Sequence, residues 1–122
     1  MKEEGGRVKD LKVRMREFAL RIIRLYAKLP KSTEGQVIGK QLLRSGTSVG
    51  AHYREGSRAR STAEFVSKLG GGQQELEETI YWLELLQEAE IVKPTLLDGL
   101  ITECNELQAI FTTCIKNAKK KK

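Results

Sequence analysis

Arginine and lysine at regular spacing are the residues of this chain best suited to binding a ligand. Near the start of the chain, four of them recur every seven positions: Arg7, Arg14, Arg21 and Lys28. A second group follows at Arg44, Arg54, Arg58 and Arg60. The planar guanidinium of arginine matches phosphate oxygens with two parallel hydrogen bonds. These residues are therefore the candidate nucleic-acid-binding residues, and the alternative is a solvated charged face without a partner.

Groups that could perform catalysis are scarce. The single histidine, His52, lies on an apolar helical stripe, which favours a core or interface histidine. The nearby carboxylates of Glu75, Glu77 and Glu78 lack the Glu-x-x-His pairs of di-iron bundles. Gly70–Gly72 lacks both the frame and the preceding strand of a phosphate-binding loop. We therefore predict no catalytic residue, no metal and no cofactor, and a protein that is not an enzyme.

The two cysteines, Cys104 and Cys114, are predicted to be small buried apolar residues. On one helix they would lie ~15 Å apart, which is too far for a disulfide bridge.

Charge is distributed unevenly along the chain, whose net charge is +6. Residues 7–31 carry +7, residues 61–91 carry −6, and residues 116–122 carry +5. This asymmetry predicts an anionic partner, a charge-paired assembly, or both. Tyr81 and Trp82 lie in the acidic segment, which favours a packing anchor over a platform for base stacking.

Length and composition indicate one globular domain. A chain of 122 residues can bury one core without disulfides. No apolar run approaches the ~18 residues of a membrane span, and the first ten residues do not resemble a signal peptide. We expect a cytoplasmic protein without a membrane partner.

Four segments, near residues 8–29, 33–56, 62–90 and 94–117, show helical periodicity. Their apolar stripes are Leu11, Met15, Phe18, Ile22, Leu25 and Leu29; Ile38, Leu42, Ser45, Val49 and His52; Phe65, Leu69, Leu76, Ile80, Leu83 and Leu86; and Leu97, Leu100, Cys104, Leu107, Phe111 and Cys114. Pro30 should end the first helix. Thr33 with Gln36, and Ser61 with Glu64, should open the next two as capping boxes. Pro94 suits the first turn of the fourth.

Four helices of similar length with short connections predict an all-α, antiparallel up-down-up-down four-helix bundle. The bundle should span residues 8–117, between a flexible N-terminus at 1–7 and a frayed basic tail at 118–122. We expect the third helix to continue through Gly70–Gly72, with a kink or a close contact there. The small residues from Ser45 to Ala51 should let a neighbouring helix approach closely.

The segments QLLRSGTSVGAHYREGSRARSTAEF at 41–65 and ETIYWLELLQEAEI at 78–91 carry a specific resemblance. The chain resembles the four-helix bundle family of 23S rRNA intervening-sequence proteins. The accessory variability determinant of diversity-generating retroelements belongs to the same superfamily as the proteins that this chain resembles. Two features depart from the family pattern: His52 replaces an expected asparagine, and Gly70–Gly72 replace a stretch that normally contains less glycine.

The resemblance implies a homopentameric ring with basic surfaces able to bind RNA or DNA, and no catalytic residues. In the retroelement branch it also implies docking onto a reverse transcriptase. Two functions compete at this point. One is an oligomeric bundle that binds nucleic acid, as an accessory to a reverse transcriptase or an RNA-associated partner. The other is a purely structural protein–protein module whose basic faces pair with its own acidic helix.

Overall fold

Four long helices make up the structure. The computed structural model describes the backbone of residues 2–121 and the side chains of residues 11–121. The helices are α1 (Lys2–Lys28), α2 (Thr33–Ser57), α3 (Thr62–Glu88) and α4 (Asp98–Lys120), with a short 3-10 helix at Pro94–Leu96 before α4. The described residues contain no β-strand. The predicted all-α class is therefore confirmed.

Consecutive helices pack side by side and run in opposite directions. Along each pair of consecutive helices, residues further along the first helix contact residues nearer the start of the second. The contacts are Ile22 with Gly46 and Leu29 with Gly39 for α1 and α2, Ser45 with Thr79 and Glu55 with Lys68 for α2 and α3, and Gln73 with Thr112 and Gln87 with Asp98 for α3 and α4. Within the described residues, the backbones of α1 and α4 approach each other closely at few positions, and those of α1 and α3 at none. The order is that of an up-down-up-down bundle, with α1 and α3 on one diagonal.

The predicted apolar stripes meet in one core. Most of their members are buried, and Ile22, Leu42, Leu83 and Phe111 are fully excluded from solvent. Leu25, Ile38, Phe65, Ile80 and Cys114 are half-buried at the edge of the core. Heptad spacing predicted this face because residues three and four apart lie on one side of a helix.

Two of the three adjacent glycines of α3 are packing positions, and the helix continues through all three as predicted. A Cβ atom on Gly72 would lie 2.6 Å from the Phe111 ring, and one on Gly71 would lie 2.7 Å from the His52 ring. Gly70 has no neighbour within 4 Å of that position. His52 and Gly71, two departures from the family pattern, are therefore in contact, and the missing Cβ leaves space for the imidazole.

Ser61 is confirmed as the cap of α3, but the predicted capping box is only half formed. The Ser61 hydroxyl accepts a hydrogen bond from the Glu64 amide at 3.1 Å, whereas the Glu64 carboxylate accepts one from the Arg60 amide at 3.1 Å instead of from the Ser61 amide. The assignment of Thr33 as the cap of α2 is wrong. Ser32 is the cap instead, because its hydroxyl accepts from the Gly35 amide at 3.2 Å.

Several helix ends differ from those predicted. α1 begins at Lys2, and α4 extends to Lys120, into the segment predicted as a frayed tail. Pro94 opens the 3-10 helix, while α4 itself begins at Asp98. α3 ends at Glu88, and Glu90 follows with a positive φ of 58°.

α3 ends in a left-handed residue, a position that glycine usually occupies, but here the residue is Glu90. The amide of Ile91 donates to the Leu86 carbonyl at 3.0 Å, and the amide of Glu90 donates to the Gln87 carbonyl at 3.0 Å. This pair of bonds defines a Schellman motif, whose left-handed residue is usually glycine. Because Glu90 is not glycine, the sequence did not predict this motif.

Candidate nucleic-acid interface

Arg14, one of the α1 cations spaced seven residues apart, is engaged with α4. Arg14 donates from Nε to the Glu103 carboxylate at 2.7 Å, and a second guanidinium nitrogen bonds Glu106. The hydrogen bond to Glu103 raises the pKa of Arg14 above its ordinary value. The side chain of Arg7 lies outside the described residues. Arg14 thus links α1 to α4, whose backbones approach each other closely at few positions.

Arg44 is likewise engaged within the bundle. It reaches from α2 to α3 and bonds the carboxylates of Glu75, at 3.4 Å, and Glu78. The hydrogen bond from Arg44 lowers the pKa of Glu78, and so does a second one from the Trp82 indole N–H at 3.0 Å. Trp82 is therefore the packing anchor that the sequence predicted, whereas Tyr81 beside it is exposed.

The remaining candidates are exposed cations at opposite ends of the bundle. Arg21, Lys28, Arg54, Arg58 and Arg60 make no ion pair with any side chain that the structure describes. The Arg21 guanidinium lies beside Gly99, near the start of α4. Arg54, Arg58 and Arg60 lie at the end of α2 and in the connection that follows it. The eight predicted residues therefore do not form one surface.

The C-terminal lysines lie at the same end of the bundle as Arg54, Arg58 and Arg60. α2 and α4 run in the same direction, so the end of α4 lies beside the connection between α2 and α3. We call the cations gathered there the basic end; they are Arg54, Arg58, Arg60, Lys116, Lys119, Lys120 and Lys121. The sequence predicted the tail only as a frayed segment. The predicted topology could have placed the tail beside Arg54, Arg58 and Arg60, because the second and fourth helices of an up-down-up-down bundle end on the same side.

A groove of about 1090 Å³ opens at the basic end, between α1, α4 and the start of α3. Its apolar lining comes from Leu11, Tyr53, Phe65, Ile110 and Cys114, all buried or half-buried. Its charged lining consists of Arg14, Arg60 and Lys121, with no carboxylate among the described lining residues. Apart from the engaged Arg14, these cations are exposed, so the groove has an apolar interior and a cationic rim. We call it the basic-end groove.

The other residues that could carry chemistry lie apart from one another. The His52 ring is half-buried against Gly71; its Nε2 lies 3.9 Å from the Glu75 carboxylate, and its buried Nδ1 has no hydrogen-bond partner. Both cysteine thiols are free, as predicted. Burial raises the pKa of Cys104 to about 12 and also raises that of Cys114. Across the described residues, no cluster of His, Cys, Asp and Glu has the makeup of a metal site, and no helix could span a membrane.

Comparison with known proteins assigns the family. The sequence profile of the 23S rRNA-intervening sequence proteins matches residues 9–113. The chain belongs to this family. The match covers nearly all of the four helices, so the resemblance drawn from the segments at 41–65 and 78–91 is confirmed.

A solved structure agrees with the family assignment. It is the crystal structure of a protein of unknown function from the S23 ribosomal protein family of Bacteroides thetaiotaomicron. The two chains are 39% identical with a TM-score of 0.81, over 86% of this intervening-sequence family member and 97% of the other chain. No significant match was found among curated proteins.

Proposed function

We propose that this member of the intervening-sequence family is a non-enzymatic, homo-oligomeric bundle that binds nucleic acid through its basic end. The observation that carries the proposal is the clustering of cations at that end. Arg54, Arg58 and Arg60 are exposed there beside the lysines that end α4. Phosphate contacts by such residues supply most sequence-independent affinity for nucleic acid.

The ion pairs of Arg14 and Arg44 favour the competing, purely structural function. Both arginines already bond two carboxylates of a neighbouring helix. A phosphate would have to displace those partners before it could bind. A Gln substitution at either position would therefore disturb helix packing as well as any ligand, so the decisive variants must lie elsewhere.

The test is fluorescence anisotropy with a labelled RNA oligonucleotide, titrated at several salt concentrations. We compare the parent with the triple variant Arg54→Gln, Arg58→Gln and Arg60→Gln. Each lost contact to a single strand should flatten the slope of log affinity against log salt by ~0.7, so the triple variant should lose about 2. Lys93→Gln is the matched control, because Lys93 is an exposed cation in the connection at the opposite end of the bundle.

Two results would contradict this assignment. One is a parent protein that does not bind RNA at about 50 mM salt, which leaves the structural function. The other is a triple variant whose salt slope equals that of the parent, which would exclude Arg54, Arg58 and Arg60 as phosphate contacts.

We infer that self-assembly uses the outer face of α1. This face points away from the core, yet it carries Val13, Leu20 and Ile23 at 37–48% exposure. Exposed cations, including Arg16 and Arg24, flank these apolar side chains. A helix with apolar residues on both faces is typical of a buried position, so a second protein surface should cover this one.

The complementary surface is the outer face of α3, on the diagonally opposite side. Tyr81 is 53% exposed there, and Glu77, Glu78 and Glu84 surround it. A contact between the α1 face of one subunit and the α3 face of the next is heterologous, and such contacts close into rings when the rotation permits. The pentamer implied by the family resemblance has this kind of symmetry.

Light scattering behind a sizing column tests the assembly. We expect a mass several times that of the chain, and a lower mass for Leu20→Glu, which introduces a carboxylate into the α1 face. Leu96→Glu is the matched control, because Leu96 is more exposed but lies in the short 3-10 helix. A monomer mass for the parent at micromolar concentration would refute the ring.

If a reverse-transcriptase gene lies beside this one, we further expect the bundle to dock onto that enzyme.

A further inference from the structure

We propose that the basic-end groove binds single-stranded nucleic acid, with an unpaired base against Phe65 and the flanking phosphates at Arg60 and Lys121. This inference rests on the proposed function and makes it more specific. It assigns the ligand as a single strand and places part of its binding energy in base stacking.

The lining of the groove combines two features that single-strand binding requires. Phe65 is half-buried, so its ring presents part of its surface to the groove, and Ile110 and Tyr53 provide apolar neighbours. Aromatic side chains in a positively charged groove are the usual platform for unpaired bases. A duplex cannot offer a base in this way because its bases are stacked inside the helix. The groove should therefore discriminate strands from duplexes.

The charge of the groove selects an anion. Arg60 and Lys121 are exposed at its rim, and the described lining contains no carboxylate to oppose them. Ser61 and Thr62 bring the N-terminus of α3 to the groove, where the Glu64 carboxylate, outside the lining, bonds the Arg60 amide and leaves the Arg60 guanidinium unpaired among the described side chains. A volume of about 1090 Å³ lies at the upper end for small-molecule pockets, and the open shape suits a chain that enters and leaves.

Tyr81 provides the contrast within the same molecule. It is the more exposed aromatic side chain, but Glu77, Glu78 and Glu84 surround it. Phosphates would be repelled there, so exposure of an aromatic ring alone does not make a stacking site in this protein. Phe65 differs because the charged residues that line its groove are all cations.

The experiment measures anisotropy with fluorescein-labelled twelve-nucleotide poly(U) and poly(dT), and with a duplex of equal length. The variant Phe65→Leu keeps an apolar side chain but removes the ring. Leu96→Ala is its control, because Leu96 is an exposed apolar residue in the 3-10 helix at the opposite end of the bundle. We expect Phe65→Leu to weaken single-strand binding at least about fivefold, the lower end of what one stacked base contributes, and to leave duplex binding unchanged. Circular dichroism checks that both variants remain folded.

A second measurement needs no variant. Cys114 lines the groove, whereas Cys104 is fully buried. We expect poly(U) to slow the alkylation of Cys114 by N-ethylmaleimide in the parent protein, while Cys104 reacts only on unfolding. The rate without oligonucleotide is measured at two protein concentrations, which detects coverage of the groove by a second subunit.

The outcomes separate this inference from the proposed function. If the parent binds RNA but Phe65→Leu binds poly(U) equally well and Cys114 is not protected, the groove is not the site, and the basic end binds phosphates alone. Protection of Cys114 that rises with protein concentration in the absence of oligonucleotide would assign the groove to a subunit contact and overturn the inference. Failure of the parent to bind any nucleic acid would overturn the proposed function as well.

Discussion

Two glycines in one helix should respond to the same substitution with opposite sign. Gly70 and Gly72 both lie in the middle of α3, and neither has an unusual backbone angle. A Cβ atom on Gly70 would meet nothing within 4 Å, whereas one on Gly72 would lie 2.6 Å from Cε2 of Phe111. Replacing each with alanine therefore isolates the effect of packing from that of helix propensity.

The magnitudes follow from these distances. Alanine is better than glycine in a helix interior by ~1 kcal/mol, so Gly70→Ala should raise the free energy of unfolding by about that amount. Gly72→Ala gains the same amount but forces the fully buried Phe111 ring to move, and overpacking costs ~1–3 kcal/mol. The net change for Gly72→Ala should lie between ~0 and −2 kcal/mol. The two variants should then differ by ~1–3 kcal/mol.

Equilibrium unfolding in urea, followed by circular dichroism at one protein concentration, measures both values. A sizing column run on each variant checks that the oligomeric state is that of the parent, since a change in assembly would shift apparent stability. If both variants were stabilised equally, Phe111 would not pack against Gly72, and the interpretation of these glycines as close-contact positions would be wrong.

Three further predictions concern stability. Leu42→Ala should cost ~2–5 kcal/mol, because Leu42 is fully buried; a loss below about 1 kcal/mol in denaturant melts would contradict this. Glu90→Gly should raise the unfolding free energy by ~1 kcal/mol, because glycine adopts the left-handed angle without strain; an unchanged or lower melting temperature would argue against the helix stop. The lowered pKa of Glu78 stabilises the fold above its unfolded pKa of about 4.3. That contribution is lost as pH falls through the folded pKa, so the stability difference between the parent and Glu78→Gln should shrink from pH 6 to pH 3, and a constant difference would exclude the Arg44 pair as its source.

The sequence by itself determined the four helices and the face that each one buries. Heptad spacing places residues such as Ile22 and Leu83 on one side of a helix, and that side must leave water whatever the partner is. Ser61 with Glu64 identified a helix start because a capping box is local in sequence. Other helix ends were predicted wrongly, for example Thr33 for Ser32 and Pro94 for Asp98. These two lie one and four residues from the observed position, where neighbouring residues compete for the same backbone groups.

The tertiary structure decided which charges are neutralised and which remain exposed. Arg14 bonds Glu103 and Glu106, which follow about ninety residues later, and no periodicity within one helix predicts such a partner. The same holds for the basic-end groove, which is lined by both Phe65 of α3 and Lys121, the residue that follows α4. Spacing within a helix specifies a face, but neighbours across a bundle depend on the packing of segments distant in sequence. The candidate binding residues could therefore be named from the sequence, while their division into engaged and exposed groups required the fold.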